Sequence, residues 1–254
     1  MNLKPIALQM YTVRDYSEKN FIETVKKVAE IGYKGIELAG TYGVKSDELK
    51  QILDSLDLKV CGSHIPIDLL EKDFDNTVKF NLELGNKNIV CPWLPEDRRN
   101  SIEEWKKTAE ELNSIGERLR ADGLTLSYHN HNFEFEKFGD KYGIEVLIEN
   151  TDPENLKLEV DVFWIKFAGL DPAEFLKKYI DRINLIHLKD MKADKKTFAE
   201  VGEGIIDFKP IFEIGDSSSI VEWYIVEQDR CERPSIESAR LSFENLKKMG
   251  RVVD

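Results

Sequence analysis

Two kinds of hydrophobic pattern alternate along the chain from end to end. Short apolar runs rich in Val, Ile and aromatic residues recur at 6–12, 35–40, 59–65, 88–94, 125–131, 156–164, 183–190 and 223–229. Runs of this make-up predict strands buried on both faces of a parallel sheet. Between them lie segments whose apolar residues return every three or four positions. Phe21, Val25, Val28 and Ile31 form one such stripe, and Gly32 predicts where that helix stops. Segments 47–58, 77–85, 171–179 and 235–249 behave similarly. Ser101 and Glu104 stand at capping-box spacing at the head of a long helix, and Pro172 behind Asp171 marks the first turn of another. The weakest helical signals are 142–149 and 208–218.

Eight strands, each followed by a helix, predict an α/β fold of the (β/α)8 TIM-barrel type. With no Pro/Gly-rich linker or break in composition, one barrel domain over residues 1–254 is expected. An open doubly wound sheet is the alternative, but it would want a glycine fingerprint after the first strand, and "QMYTVRD" has none.

Composition narrows the class. A hydrophobic share of 41% supports a sizeable core, and a mean hydropathy of -0.41 suits a soluble protein. The net charge of -12 argues against a nucleic-acid or anionic-membrane partner, because an acidic surface repels both. The start of the chain lacks a signal-peptide pattern, and no apolar run approaches the roughly 20 residues that cross a bilayer. Cys61, Cys91 and Cys231 are far apart and form no CxxC pair. Reduced thiols and a cytoplasmic location are expected. Trp93 and Trp105 are the candidates for a homodimer contact.

In such a barrel the active site is built at the C-terminal strand ends. All four histidines, His64, His129, His131 and His187, fall there. Carboxylates join them: Glu37, Glu134, Asp161, Glu227 and Asp229. A carboxylate in a buried strand is costly unless it is paired or bound to a cation, which makes Asp161 and Glu227 the sharpest signals. Lys166 or Lys189 could instead pair with them. A mixed Asp/Glu/His set suits one divalent ion, Mn, Mg, Co or Zn. Strand alternation predicts that His129 and His131 face one way and Asn130 the other. "VGEG" (201–204) could cradle a phosphate or be a plain turn, and Trp93, Trp164 and Tyr11 could stack on a sugar or pack the mouth.

Taken together, "YHNHNFEF", "DVFW", "HLKDM", "VGEGIIDF" and "YIVEQD" resemble the sugar phosphate isomerase/epimerase superfamily, the xylose isomerase-like barrels. The likeness runs over essentially the whole chain. It implies a divalent metal held by strands 5 to 8 in an enzyme that isomerises, epimerises or dehydrates a small sugar, keto-sugar or sugar phosphate, or cleaves abasic DNA. Position by position it makes Asp161, His187 and Glu227 metal ligands. The fourth is expected to be Glu134, with His129 as its rival. Trp164 stands where ketohexose epimerases carry a substrate-binding His, and Ala193 where they carry an Arg.

The expected function is therefore a metal-dependent sugar isomerase or epimerase, or a related lyase. Glu134, Glu227 or His131 would move the proton, Lys189 would stabilise the enolate oxygen, and Glu37, His64, His129 and Trp164 would contact substrate. The alternatives are a non-catalytic sugar-binding barrel and an abasic-site endonuclease, the latter disfavoured by the acidic charge.

Overall fold

A computed structural model of the protein describes residues 3–194 and 196–252. The strands are β1 (Ile6–Gln9), β2 (Gly35–Leu38), β3 (Lys59–His64), β4 (Asn88–Cys91), β5 (Thr125–His129), β6 (Lys157–Asp161), β7 (Ile183–Leu188) and β8 (Trp223–Val226). They pair in chain order as a closed parallel barrel, and β8 meets β1 with Ile6 opposite Tyr224. Helices α1 (Phe21–Ile31), α2 (Ser46–Ser55), α3 (Phe74–Leu84), α4 (Ile102–Ala121), α5 (Gly143–Glu149), α6 (Pro172–Tyr179), α7 (Phe208–Ser217) and α8 (Ser235–Lys248) follow the strands in turn. Among the described residues no helix is long and apolar enough to cross a membrane.

The helices begin where side chains can take up their free amides. Asn20 accepts from the Glu23 amide, Ser101 from Glu104, Asp171 from Ala173, and Asp207 from Lys209. The weakly signalled segment 208–218 is thus a full helix, burying Phe208, Ile211 and Phe212. Gly32 ends α1 at φ 119°, a conformation that glycine takes without steric cost.

Several strands end earlier than the apolar runs suggest, because the polar side chain at the end captures the next amides. The sixth run is strand only to Asp161. Its carboxylate accepts from the amides of Phe163 at 2.9 Å and Trp164 at 3.4 Å, which starts a short helix over Val162–Phe167. Gln9 does the same after β1, accepting from the Tyr11 amide at 3.0 Å.

Two hydrophobic clusters hold the fold together. The larger one packs the outer faces of the strands against the helices. The smaller one, Ala7, Cys61, Val90, Leu185 and Ile225, takes one residue from each of five strands and fills the barrel interior. Trp105 belongs to the larger cluster and is fully buried, so it is not a dimer contact. A Cβ on Gly143 would stand 2.5 Å from its ring, which shows how closely α4 and α5 approach.

Candidate active site

Above the apolar layer the inward positions become polar. Gln9, Glu37, His129, Glu159 and His187 are buried there and bonded to one another, with His64 at the end of β3. His64 Nε2 lies 2.7 Å from Glu159 Oε1 and 3.2 Å from Glu37 Oε2. His129 Nδ1 stands 2.9 Å from the same Glu159 oxygen. His187 Nε2 is 2.7 Å from Glu37 Oε2 and 3.1 Å from Glu159 Oε1, and Gln9 donates to Glu37 Oε2 at 2.7 Å. Two buried carboxylates are tolerable only with donors around them, and one amide and three imidazoles supply those. Gly62 makes the room, since a Cβ there would sit 2.5 Å from Glu37 Oε1.

This layer sets the charge of its members. Burial pushes the Glu37 carboxyl up, but His64 and His187 outweigh it and hold the group well below the usual range. Glu159 is pushed up by burial and by Glu37 beside it. Burial disfavours the His64 imidazolium, yet Glu37 and Glu159 raise its pKa to about 10. His131, buried and facing the Lys189 charge, is lowered to about 3 and is neutral at physiological pH.

The same bonds also aim two imidazoles. With His129 Nδ1–H on Glu159, its Nε2 keeps a lone pair and faces Asp161 Oδ2 at 3.9 Å. With His187 Nε2–H on Glu37, its Nδ1–H donates to Glu227 Oε2 at 2.9 Å, and the carboxylates Glu159 and Glu37 raise its pKa well above the usual value despite burial, so a cation there would replace the Nδ1 proton. Ligand atoms of His129, Asp161, His187 and Glu227 all lie within 4.8 Å of one another, a set that could hold a cation. Carboxylates behind ligating histidines orient them in this way in metal sites generally. A second group, His64, His129, Glu159 and His187, meets the same distance limit. Its nitrogens are already engaged with the Glu159 oxygen, so it fits better as the support of the first.

Charge points the same way. Lys189, 1% exposed, places Nζ 2.9 Å from Asp161 Oδ2, 2.8 Å from Glu227 Oε2 and 2.9 Å from Asp229 Oδ1. Three carboxylates against one ammonium leave two negative charges, the complement of a divalent cation. Asp161 Oδ2 keeps no hydrogen bond despite its burial: the Lys189 contact is an ion pair outside hydrogen-bond angles. Burial lifts the Asp161 carboxyl to about 6 against the pull of Lys189. The pairing foreseen with Lys189 is therefore present, and it leaves the site short of positive charge.

Glu134, expected as ligand and proton carrier, lies outside this group. Its Oε1 accepts from the Tyr128 hydroxyl and its Oε2 from the His131 amide, both at 2.7 Å. Tyr128 belongs to the outer cluster, so Glu134 anchors the loop after β5. Burial raises its pKa to about 8. The protonated form is then favoured by folding, and stability falls as pH rises from about 4.5 to about 8, by up to about 1.4 kcal/mol per pH unit. Glu134→Gln should flatten the fall of Tm across this window and leave metal content unchanged; loss of metal in this variant would restore Glu134 as a ligand.

"VGEG" does cradle an anion, but that anion is the chain's own. The amides of Gly202, Gly204 and Ile206 donate to the buried Asp190 carboxylate at 3.0, 2.9 and 3.1 Å. This loop has no amides left for a phosphate, contrary to the phosphate reading.

The cavity over the site measures about 1130 Å³, and His64, His129, His131, Trp164, Glu227 and Asp229 line it. His129 and His131 share it as expected, with ring centroids 5.0 Å apart, while Asn130 ties the ends of β5 and β6 by bonding the Asp161 backbone. Glu37 is the fully buried partner of His64 and His187 and does not line the cavity. Glu159 and Gln9 were missed, although Glu159 stands two residues before Asp161 in "LEVDVFW" and so shares its side of the strand.

Known proteins resemble the chain throughout its length. An inosose dehydratase of Clostridium tetani is 28% identical over 251 residues, covering 84% of each chain. The crystal structure of a sugar phosphate isomerase/epimerase from Parabacteroides distasonis superposes with a TM-score of 0.85 at 24% identity, over 100% of this chain and 96% of that one. The crystal structure of the IOLI protein with a bound zinc atom superposes with a TM-score of 0.74 at 16% identity, over 97% and 96%. The family described as xylose isomerase-like TIM barrel matches residues 25–249. The chain belongs to that family.

Proposed function

We propose that this protein is a divalent-metal-dependent lyase that removes water from an unphosphorylated cyclic polyhydroxy ketone. The observation that carries the reading is the convergence of His129, Asp161, His187 and Glu227 on one point beneath a cavity. The inosose dehydratase relatives support elimination over the isomerase or epimerase outcome, as do Trp164 and Ala193 at positions where ketohexose epimerases bind substrate. The Asp190-filled loop supports a substrate without phosphate.

His129, Asp161, His187 and Glu227 would hold the metal, with Glu159 and Glu37 orienting the two imidazoles from behind and the His187 Nδ1 proton leaving when the cation binds. When bound, such an ion polarises a carbonyl and acidifies the neighbouring C–H. Elimination then needs a base for that proton and an acid for the departing hydroxyl. The two histidines that line the cavity beside the four metal-holding side chains fill these roles. Neutral His131 takes the C–H proton, and the electron pair becomes the new double bond as the C–O bond breaks. His64, an imidazolium held by Glu37 and Glu159 at Nε2, gives a proton from Nδ1 to the hydroxyl, which leaves as water. Lys189, expected to stabilise an enolate oxygen, is instead buried outside the cavity lining against Asp161, Glu227 and Asp229, where its ammonium offsets their charge.

The test is dehydration of a free inosose by protein loaded with Mn²⁺ or Co²⁺, followed by the absorbance of the conjugated product. His131→Asn should lower kcat by roughly 10²–10⁴ while metal content stays the same. A protein that binds metal but neither forms product nor exchanges ring C–H with deuterium would be a binding barrel, and the enzyme reading would fall.

A further inference from the structure

The cavity is larger than a single six-membered ring needs. Small-molecule pockets run to about 300–1,000 Å³, and this one, at about 1130 Å³, exceeds that range. The opening of the cavity carries exposed apolar groups. Tyr11 is 43% exposed, Leu69 50%, Trp93 49% and Phe167 41%, and all four line the cavity. They come from the loops after β1, β3, β4 and β6, while Lys196, Arg230 and Glu232 make the β7–β8 side of the opening charged.

These rings are set for flat partners. Trp164 packs edge-on to Phe167 at 5.5 Å and to Phe198 at 6.0 Å, which fixes an aromatic wall beside His131. Three residues along the chain, the Arg14 guanidinium lies 4.0 Å over the Tyr11 ring and holds it in place. Apolar surface left in water is unfavourable, and an exposed apolar patch contiguous with a site marks something that binds there. Its continuity with the polar floor separates it from a free-standing contact surface, because the same cavity is lined by these rings and by His64, His129 and His131.

We propose that the rim is a subsite for a flat substituent, so that the site prefers a ring ketone carrying an aromatic group in glycosidic linkage over the free ring ketone. The ring sits on the polar floor, and the substituent stacks among Trp93, Phe167 and Tyr11. This rests on the reading of the floor as the place where a polyhydroxy ring is held.

The experiment uses Mn²⁺-loaded protein and isothermal titration with two non-reactive probes, methyl β-glucoside and 4-nitrophenyl β-glucoside. The aryl probe is expected to bind about tenfold tighter, the scale of one good aromatic stack. Trp93→Ala and Phe167→Ala should each erase that preference without weakening the methyl probe. Equal affinities, or binding of neither probe, overturn the subsite. So does a rim variant that changes the association state of the protein and leaves the preference intact, which would make the rim a contact between copies. Failure of inosose dehydration alongside a strong aryl preference would remove the proposed reaction and leave the subsite standing.

Discussion

Replacing Lys189 by Met is expected to destabilise the metal-free protein by about 3–5 kcal/mol, the usual cost of stripping one partner from a buried charge cluster. For a chain of this length that lowers Tm by on the order of 10 °C. The ammonium is buried within 2.9 Å of Asp161, Glu227 and Asp229, and no other Lys or Arg touches those carboxylates among the described ion pairs. The loss should be largest above about pH 6, where Asp161 is ionised, and should shrink as pH falls and that carboxyl takes up a proton. A divalent cation should restore most of the lost stability, because it replaces the missing positive charge. Calorimetry of Lys189→Met in chelator and in excess Mn²⁺ measures both effects. A Tm equal to that of the parent protein in chelator would mean that the cluster is not held as described.

Asp161→Asn should separate the metal from the fold. Asn caps a helix about as well as Asp, so the bonds to the Phe163 and Trp164 amides survive. What changes is charge: the excess of two negative charges drops to one, and a hard anionic ligand atom becomes a weak neutral one. Metal affinity should fall by more than about a hundredfold, beyond the loss of a supporting residue, and turnover should fall to background. Tm in chelator should stay the same or rise, since a buried charge has been removed. A variant that keeps parental metal affinity would remove Asp161 from the ligand set.

The barrel was legible because its signal is local. Each buried strand is a short apolar run and each helix a stripe, and both periods are carried within a dozen residues. Asp161, His187 and Glu227 stood out because a titratable group inside an apolar run needs a reason to be there. The fourth member of the cation-sized group was not legible. His129 still lies in β5, where alternation fixes its side, whereas Glu134 follows the end of the strand in a tight turn where no period applies. Glu159 was missed for a related reason: its role is to bond His64, His129 and His187 from three other strands, which no spacing within "LEVDVFW" records. Asp190 illustrates the same limit. It lies beside Lys189 in "HLKDM", yet its carboxylate reaches forward to fill the "VGEG" loop. Trp105 stands among charged residues in the sequence, which is why it reads as a surface residue, while its own side of α4 meets α5.

The central claim is that one divalent cation sits among His129, Asp161, His187 and Glu227. Diffraction from crystals grown with Mn²⁺, recorded on both sides of the manganese absorption edge, tests it directly. The account predicts one strong anomalous peak roughly 2.0–2.3 Å from His129 Nε2, His187 Nδ1 and carboxylate oxygens of Asp161 and Glu227. A peak against Glu134, or no peak inside the barrel mouth, would contradict it.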